Sequence, residues 1–271
     1  MIKQAIIPMA GQGTRLLPLT SFIPKELLPI NGKPGLEYIL DECIQAGIKE
    51  VIFIISTKKQ IIKKYFYNDL FFKKIIKNKK KDKRLKFEYS KIKKYKKMIK
   101  FVYQNSPRGT GDAVLKCKNL IKSKHFLMLM PDDLIIKNNC SLSMIKLHNK
   151  YKSSVIASKK VNKSTVSRWG IFDLKKINKR NFLIKDVIEK PSVESAPSNY
   201  AVIGRYVLPT KIFKILEKQT PGQNGEIHIT DSIRTLIHQK NKFIGHVFSG
   251  KYLDCGTMKG YINSFTEISK I

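Results

Sequence analysis

The chain is 271 residues long and 42% hydrophobic, enough for one α/β domain with a sizeable core. Its longest apolar runs, residues 51–55 and 126–130, are far too short to cross a bilayer, and Met1-Ile2-Lys3-Gln4 carries no signal-peptide pattern, so the expectation is a cytoplasmic protein with no membrane partner. Cys43, Cys117, Cys140 and Cys255 are too widely spaced to suggest a disulfide framework or a cysteine metal site, which leaves a formal net charge of +33 to be placed.

Residues 3–9, with Ala5, Ile6 and Ile7 together, read as a buried strand. Glycines and prolines interrupt the pattern from Gly11 to Pro34. Leu36, Ile39, Leu40, Cys43 and Ile44 then fall at helical spacing, and Gly47 is the expected stop. Residues 51–55 are apolar and mostly β-branched, a second strand. Strand, helix and strand in this order make a βαβ unit and predict a parallel sheet. Residues 58–98 read as mostly helical or irregular. Residues 58–100 hold 19 Lys/Arg against 3 Asp/Glu, about half of the chain's excess charge. Only Arg84 among them is arginine, and base-edge reading favours Arg, Asn and Gln, so a solvated helical insertion is expected rather than a nucleic-acid surface. A positive field also draws anionic substrates. A short strand at 101–103, a helix after Gly111 and an apolar strand at 126–130 follow. Strands are expected at 154–161, 170–174, 182–188 and 200–207, and helices at 210–217, 230–239 and 259–268. No internal repeat or interdomain linker interrupts them.

Gly11-Gln12-Gly13-Thr14-Arg15 follows the first strand. Its glycines let backbone N–H groups approach phosphate oxygens, and Arg15 adds a forked cation. Leu16 stands where a dinucleotide fingerprint needs its third glycine, and no Walker Gly-Lys-Ser/Thr follows. The longer string Gly11-x-Gly13-Thr14-Arg15-x-x-Pro18, then Pro24-Lys25-x-x-Leu28-Pro29, is more specific than an ordinary turn. Gln104 precedes Gly109 by five residues, and an amide can both donate to and accept from a uracil or thymine edge. Pro131-Asp132-Asp133 closes a buried strand. It is either a plain turn or a place for a carboxylate ligand of Mg²⁺. Tyr252-Leu253-Asp254-Cys255-Gly256 offers a second carboxylate, with Cys255 as a packed neighbour. His125, His148, His228, His238 and His246 have no metal spacing and are expected to be structural or exposed.

These blocks, in this order over nearly the whole chain, resemble the sugar-1-phosphate nucleotidyltransferases. Pro24-Lys25-Glu26-Leu27-Leu28-Pro29 is most similar to the UTP–glucose-1-phosphate uridylyltransferase branch. The resemblance implies a Rossmann-like, three-layer α/β/α fold with a mixed, mostly parallel central sheet. It would be a single domain over 1–271, nucleotide-binding to about 135 and sugar-phosphate-binding from about 136 onward. It implies uridylyl transfer from UTP to glucose 1-phosphate with Mg²⁺. The alternatives are a dTTP-using relative or a catalytically silent regulatory paralogue. Arg15, Lys25 and Lys190 would be catalytic. Ala10, Gly11, Gly13, Thr14, Glu26, Gln104 and Gly109 would meet the nucleotide. Gly170, Glu189 and Val202 would meet the sugar, and Asp132 and Asp254 the metal. A homo-oligomer, dimer or tetramer, is implied as well. Gly225-Glu226-Ile227-His228-Ile229-Thr230-Asp231 also resembles the branch, and there Thr230 or Asp231 is expected to cap the next helix. Ser21 departs from the lysine common after the threonine at Thr20.

Overall fold

The computed structural model describes residues 2–222 and 225–270. The apolar run before the glycine loop forms β1 (Gln4–Pro8), buried along its whole length. A strand apolar on both faces needs cover on both, and that demand sets the architecture. Short 3-10 turns lead to a hairpin of β2 (Pro29–Ile30) and β3 (Lys33–Pro34). Helix α1 (Gly35–Gln45) buries Leu36, Ile39, Leu40 and Cys43, the stripe its periodicity requires. It stops where expected. Gly47 takes φ +81°, its N–H reaches Ile44 O, and Ile48 N–H reaches Cys43 O, both at 3.0 Å. This Schellman closure favours a residue without a Cβ.

β4 (Glu50–Ile55) runs parallel to β1. The lysine-rich stretch is three helices, α2 (Gln60–Tyr67), α3 (Leu70–Asn78) and α4 (Lys83–Met98). They deliver the chain to β5 (Ile99–Tyr103), parallel to β4. α5 (Thr110–Leu115) then leads to β6 (His125–Leu129), parallel to β1. Two elements not anticipated follow, β7 (Asp133–Ile136) and α6 (Cys140–Tyr151). Ser, Lys, Asn and His interrupt the apolar positions of α6. Its start is set by Asn139, whose side chain accepts from Leu142 N–H at 2.7 Å. β8 (Ser154–Lys160), β9 (Gly170–Lys176), β10 (Asn181–Glu189) and β11 (Tyr200–Pro209) lie close to the expected bounds. α7 (Ile212–Leu216) and α8 (Ile229–His238) follow. Two more unanticipated strands, β12 (Phe243–Val247) and β13 (Lys251–Asp254), precede α9 (Met258–Ser269).

Nine strands make one sheet in the order β5-β4-β1-β6-β11-β8-β12-β10-β9. Only β10 and β11 run against the other seven, so the sheet is mixed and mostly parallel as expected. Side chains alternate across it. Ala5 and Ile7 of β1 join the core under α1, α2, α4, α6 and α9, whereas Ile6 joins the core under α5, α7 and α8. The result is three layers. Apart from this sheet, β13 pairs antiparallel with β7 and sets Asp254 opposite Asp133. The four cysteines are buried and free. Among the described residues no helix is long and apolar enough to cross a membrane.

Candidate active site

Several sequence blocks meet at the carboxyl ends of the parallel strands, the crevice where open α/β sheets take ligands. After β1, Ala10 is buried and Gly11 exposed, and Gly13 accepts from Thr20 Oγ1 at 2.8 Å. Buried Leu16 anchors the 3-10 turn that begins at Thr14. The Arg15 side chain is left 63% exposed, with Nη2 3.5 Å from Asp132 Oδ2. Lys25 Nζ donates to the same oxygen at 2.7 Å. Ser21 is exposed and donates to Pro18 O.

Burial works against charge on both partners of this pair, yet each charge is kept. Asp132 and Glu26 outweigh burial at Lys25 and hold its pKa above the ordinary lysine value. Lys25, by its charge and hydrogen bond, outweighs burial at Asp132 and holds that carboxyl below the usual carboxylate range.

The strand pair β7–β13 brings in the second carboxylate. Cys255 N–H donates to Asp132 O at 2.7 Å, and Gly256 N–H to Asp254 Oδ1 at 2.8 Å. A Cβ built on Gly256 would sit 2.7 Å from Asp132 Oδ2 and 3.1 Å from Asp254 Oδ1, so both carboxylates address one small volume. Cys255 is buried as a packed neighbour, and burial pushes its thiol up to about 12. Asp133 also borders the cavity, but both of its carboxylate oxygens are taken up by scaffold bonds. It accepts from Tyr252 Oη at 2.6 Å and from Gly204 N–H at 2.8 Å. Burial and the neighbouring Asp132 charge raise it. Behind it, Arg205 of β11 is wholly buried. Its guanidinium grips Glu42 of α1 at 2.8–3.1 Å and donates to Asp133 O at 2.6 Å, Gly204 O at 2.9 Å and Met130 O at 3.2 Å. Neither Glu42 nor Arg205 carries a local motif that would have found it.

Glu26 is buried rather than open to the crevice. Its oxygens lie 2.9 and 3.0 Å from Lys59 Nζ, which also donates to Met9 O at 2.7 Å. Lys59 belongs to the stretch expected to be solvated. Instead this buried lysine ties the end of β1 to the turn that carries Lys25.

Gly170, Glu189 and Val202 also converge. Gly170 pairs with Glu189 across β9 and β10, and a Cβ on Gly170 would lie 3.1 Å from both Glu189 Oε2 and Val202 Cγ2. They share one cavity of about 280 Å³ with Arg15, Asp132 and Asp254. Arg168, His228 and Thr230 line it too. None had been assigned there, and His228 had been expected to be structural or exposed. The expected cap on α8 is not made. His228 occupies the capping position without a side-chain bond, and Thr230 and Asp231 lie in the first turn. Backbone bonds fix that entry, with Ile227 N–H to Arg108 O at 2.8 Å and Gly111 N–H to Ile227 O at 2.7 Å. Lys190 adopts φ 47°, its N–H donates to Trp169 O, and its exposed side chain lies outside the cavity lining.

On the β5 side, buried Gln104 donates through Nε2 to Gly109 O at 3.1 Å and Asp112 Oδ2 at 2.7 Å. Both amide hydrogens are thus spent, which leaves the side chain an acceptor. Gly109 has φ +93°, and a Cβ there would meet Ile227 O at 2.5 Å. Only glycine suits both conditions.

Residues 4–271 match the family model for nucleotidyl transferases. A UTP–glucose-1-phosphate uridylyltransferase of Bacillus subtilis is 35% identical over 271 residues, covering 99% of this chain and 91% of that protein. A UDP-glucose pyrophosphorylase solved in complex with UDP-glucose is 35% identical, with TM-score 0.87 over 100% of this chain and 99% of that one. A UTP-bound enzyme of the same kind from Acinetobacter baumannii is 33% identical, with TM-score 0.89 over 99% of this chain and 93% of that one.

Proposed function

Because the chain belongs to the nucleotidyl transferase family, we propose that it transfers the uridylyl group of UTP to glucose 1-phosphate and releases pyrophosphate. One observation carries the reading. Arg15, Asp132 and Asp254, with Lys25 paired to Asp132 behind them, line a single cavity together with Gly170, Glu189 and Val202. The first group suits phosphates and the second suits sugar hydroxyls. The Bacillus subtilis relative is named for this substrate pair, and the solved pyrophosphorylase holds UDP-glucose.

The sugar phosphate oxygen is anionic at neutral pH and needs no general base. It attacks the α-phosphorus in line, the new O–P bond forms, and the bond to the pyrophosphate oxygen breaks. The protein aligns the two anions and offsets their repulsion. Arg15 and Lys25 bind the triphosphate, and Lys190 reaches the sugar phosphate on its flexible stem. Glu189 accepts from sugar hydroxyls, and the backbone of Ala10, Gly11, Gly13 and Thr14 borders the nucleotide. Gln104 accepts from the N3–H of uracil. Glu26 serves by holding the Lys25 turn.

Among the described residues no three His, Cys, Asp or Glu side chains form a cage for a metal. Mg²⁺ needs no such cage, since it takes one or two carboxylates, waters and substrate phosphates. Asp132 and Asp254, close to one volume, fit that donor set and would hold it. When bound, it would supply charge neutralisation and alignment at the phosphates.

Protein with Mg²⁺, UTP and glucose 1-phosphate should release pyrophosphate, and Asp132→Ala should lose most of that activity. Robust turnover by Asp132→Ala removes the metal assignment. Silence across four nucleoside triphosphates and several sugar phosphates removes the enzymatic reading. Turnover with dTTP alone moves the specificity.

A further inference from the structure

Helix α3 contributes no residue to this cavity. Five of its nine residues are apolar, Leu70, Phe71, Phe72, Ile75 and Ile76, yet none is buried. Leu70 and Phe71 are 73% and 77% exposed. Phe72 rests edge-on against Tyr89 of α4, with ring centroids 5.4 Å apart. Beside it, Ile61, Phe71, Ile75 and Leu85 line an open apolar groove. Phe72, Ile75 and Ile76 are half-buried, so the apolar face of α3 is only partly covered, and Leu70 and Phe71 are left bare at the edge of the groove, the kind of exposed patch that marks an interaction site.

The surrounding charge selects what covers it. Residues 70–86 hold nine Lys/Arg and a single acid, Asp82. On the other flank Ile76 shares a hollow with Lys86, Lys93, Lys94 and Lys97 of α4. A second copy docked here through the same face would set these lysines against themselves. Nucleic acid offers phosphates and bases that stack on Phe71, but aliphatic Leu70, Ile75 and Ile76, the larger part of this face, gain little from stacking. An anionic lipid surface answers both needs. Its headgroups take the lysines, and its acyl boundary takes Leu70 and Phe71.

We propose that α3 and its flanking lysines dock the protein peripherally on anionic bilayers. The expectation of no membrane partner rests on the lack of a spanning segment and of a signal-peptide pattern, and peripheral docking needs neither.

Sedimentation with lipid vesicles tests this directly. The protein should pellet with phosphatidylglycerol-containing vesicles and stay in the supernatant with pure phosphatidylcholine, and added salt should weaken the binding. Leu70→Ser combined with Phe71→Ser should lower partitioning on the order of tenfold. Both side chains are solvent-exposed, so the thermal midpoint and pyrophosphate release should not change. Failure to pellet with the anionic vesicles overturns the proposal. So does equal binding by the double variant, since lysines alone would then account for it. Two further results refute it: the double variant losing an oligomeric state instead of vesicle binding, or the protein binding RNA more tightly than vesicles.

Discussion

Replacing Lys59 with methionine isolates the buried link between β1 and the Lys25 turn. The substitution keeps most of the side-chain volume and removes one ammonium. Three contacts vanish, those to Glu26 Oε1 at 2.9 Å, Glu26 Oε2 at 3.0 Å and Met9 O at 2.7 Å. Glu26 is only 2% exposed, so its carboxylate is stranded. Removing one partner of a buried ion pair costs about 3–5 kcal/mol. For a chain of this size that lowers the thermal midpoint on the order of 10 °C. The functional consequence is local, because Glu26 is the residue after Lys25. A relaxed turn lets Lys25 leave Asp132, which weakens the triphosphate grip.

Calorimetry and steady-state pyrophosphate release, with UTP and glucose 1-phosphate varied separately, give the readout. Lys59→Met should raise KM for UTP and lower kcat while KM for glucose 1-phosphate holds. Lys59→Arg, which keeps the charge, should recover part of the loss. Unchanged stability and kinetics in Lys59→Met would refute the link. A fall in stability with unaltered KM for UTP would show that Lys59 supports the fold and not the Lys25 turn.

Three other outcomes follow from the geometry. Gly109→Ala places a Cβ 2.5 Å from Ile227 O at φ +93°. It should cost about 1–3 kcal/mol of stability and raise KM for UTP, as checked by thermal melts and kinetics. Glu42→Leu strands the wholly buried Arg205 and should destabilise by about 3–5 kcal/mol, whereas Glu42→Leu with Arg205→Met should recover much of that in denaturant titrations. Burial, with Arg180 nearby, lowers His246 to about 4, below the 6.5 of an ordinary histidine. Its contribution is therefore complete above pH 6.5 and is lost as pH falls toward 4, by about 3 kcal/mol at most. His125 is lowered to about 4 as well. The difference between wild type and His246→Gln across pH 4–7 therefore isolates the His246 share, and parallel stability curves would contradict it.

Local chemistry made the parallel half legible. β1 and β4 are continuous apolar runs, α1 shows a helical stripe, and Gly47 terminates it by its left-handed backbone. Motifs whose residues stand within a few positions of one another were legible for the same reason, from Gly11 to Arg15 and from Pro24 to Pro29. The three-layer fold followed from the order of blocks along the chain and the family resemblance they carry, and the same resemblance is what nominates Arg15, Lys25, Gln104, Asp132, Glu189 and Asp254 for the site. What folding alone decided was adjacency across long separations. Asp254 lies near Asp132 because β13, itself unanticipated, pairs with β7. His228 enters the cavity because residues 108–111 hold Ile227 by backbone bonds that carry no side-chain signature. Arg205 reaches Glu42 across 163 positions, and Lys59 reaches Glu26 across 33. In a sequence, a lysine within a lysine-rich run gives no sign of being the one that is buried. Its role depends on which acid the packed core leaves unpaired, and only the tertiary structure determines that.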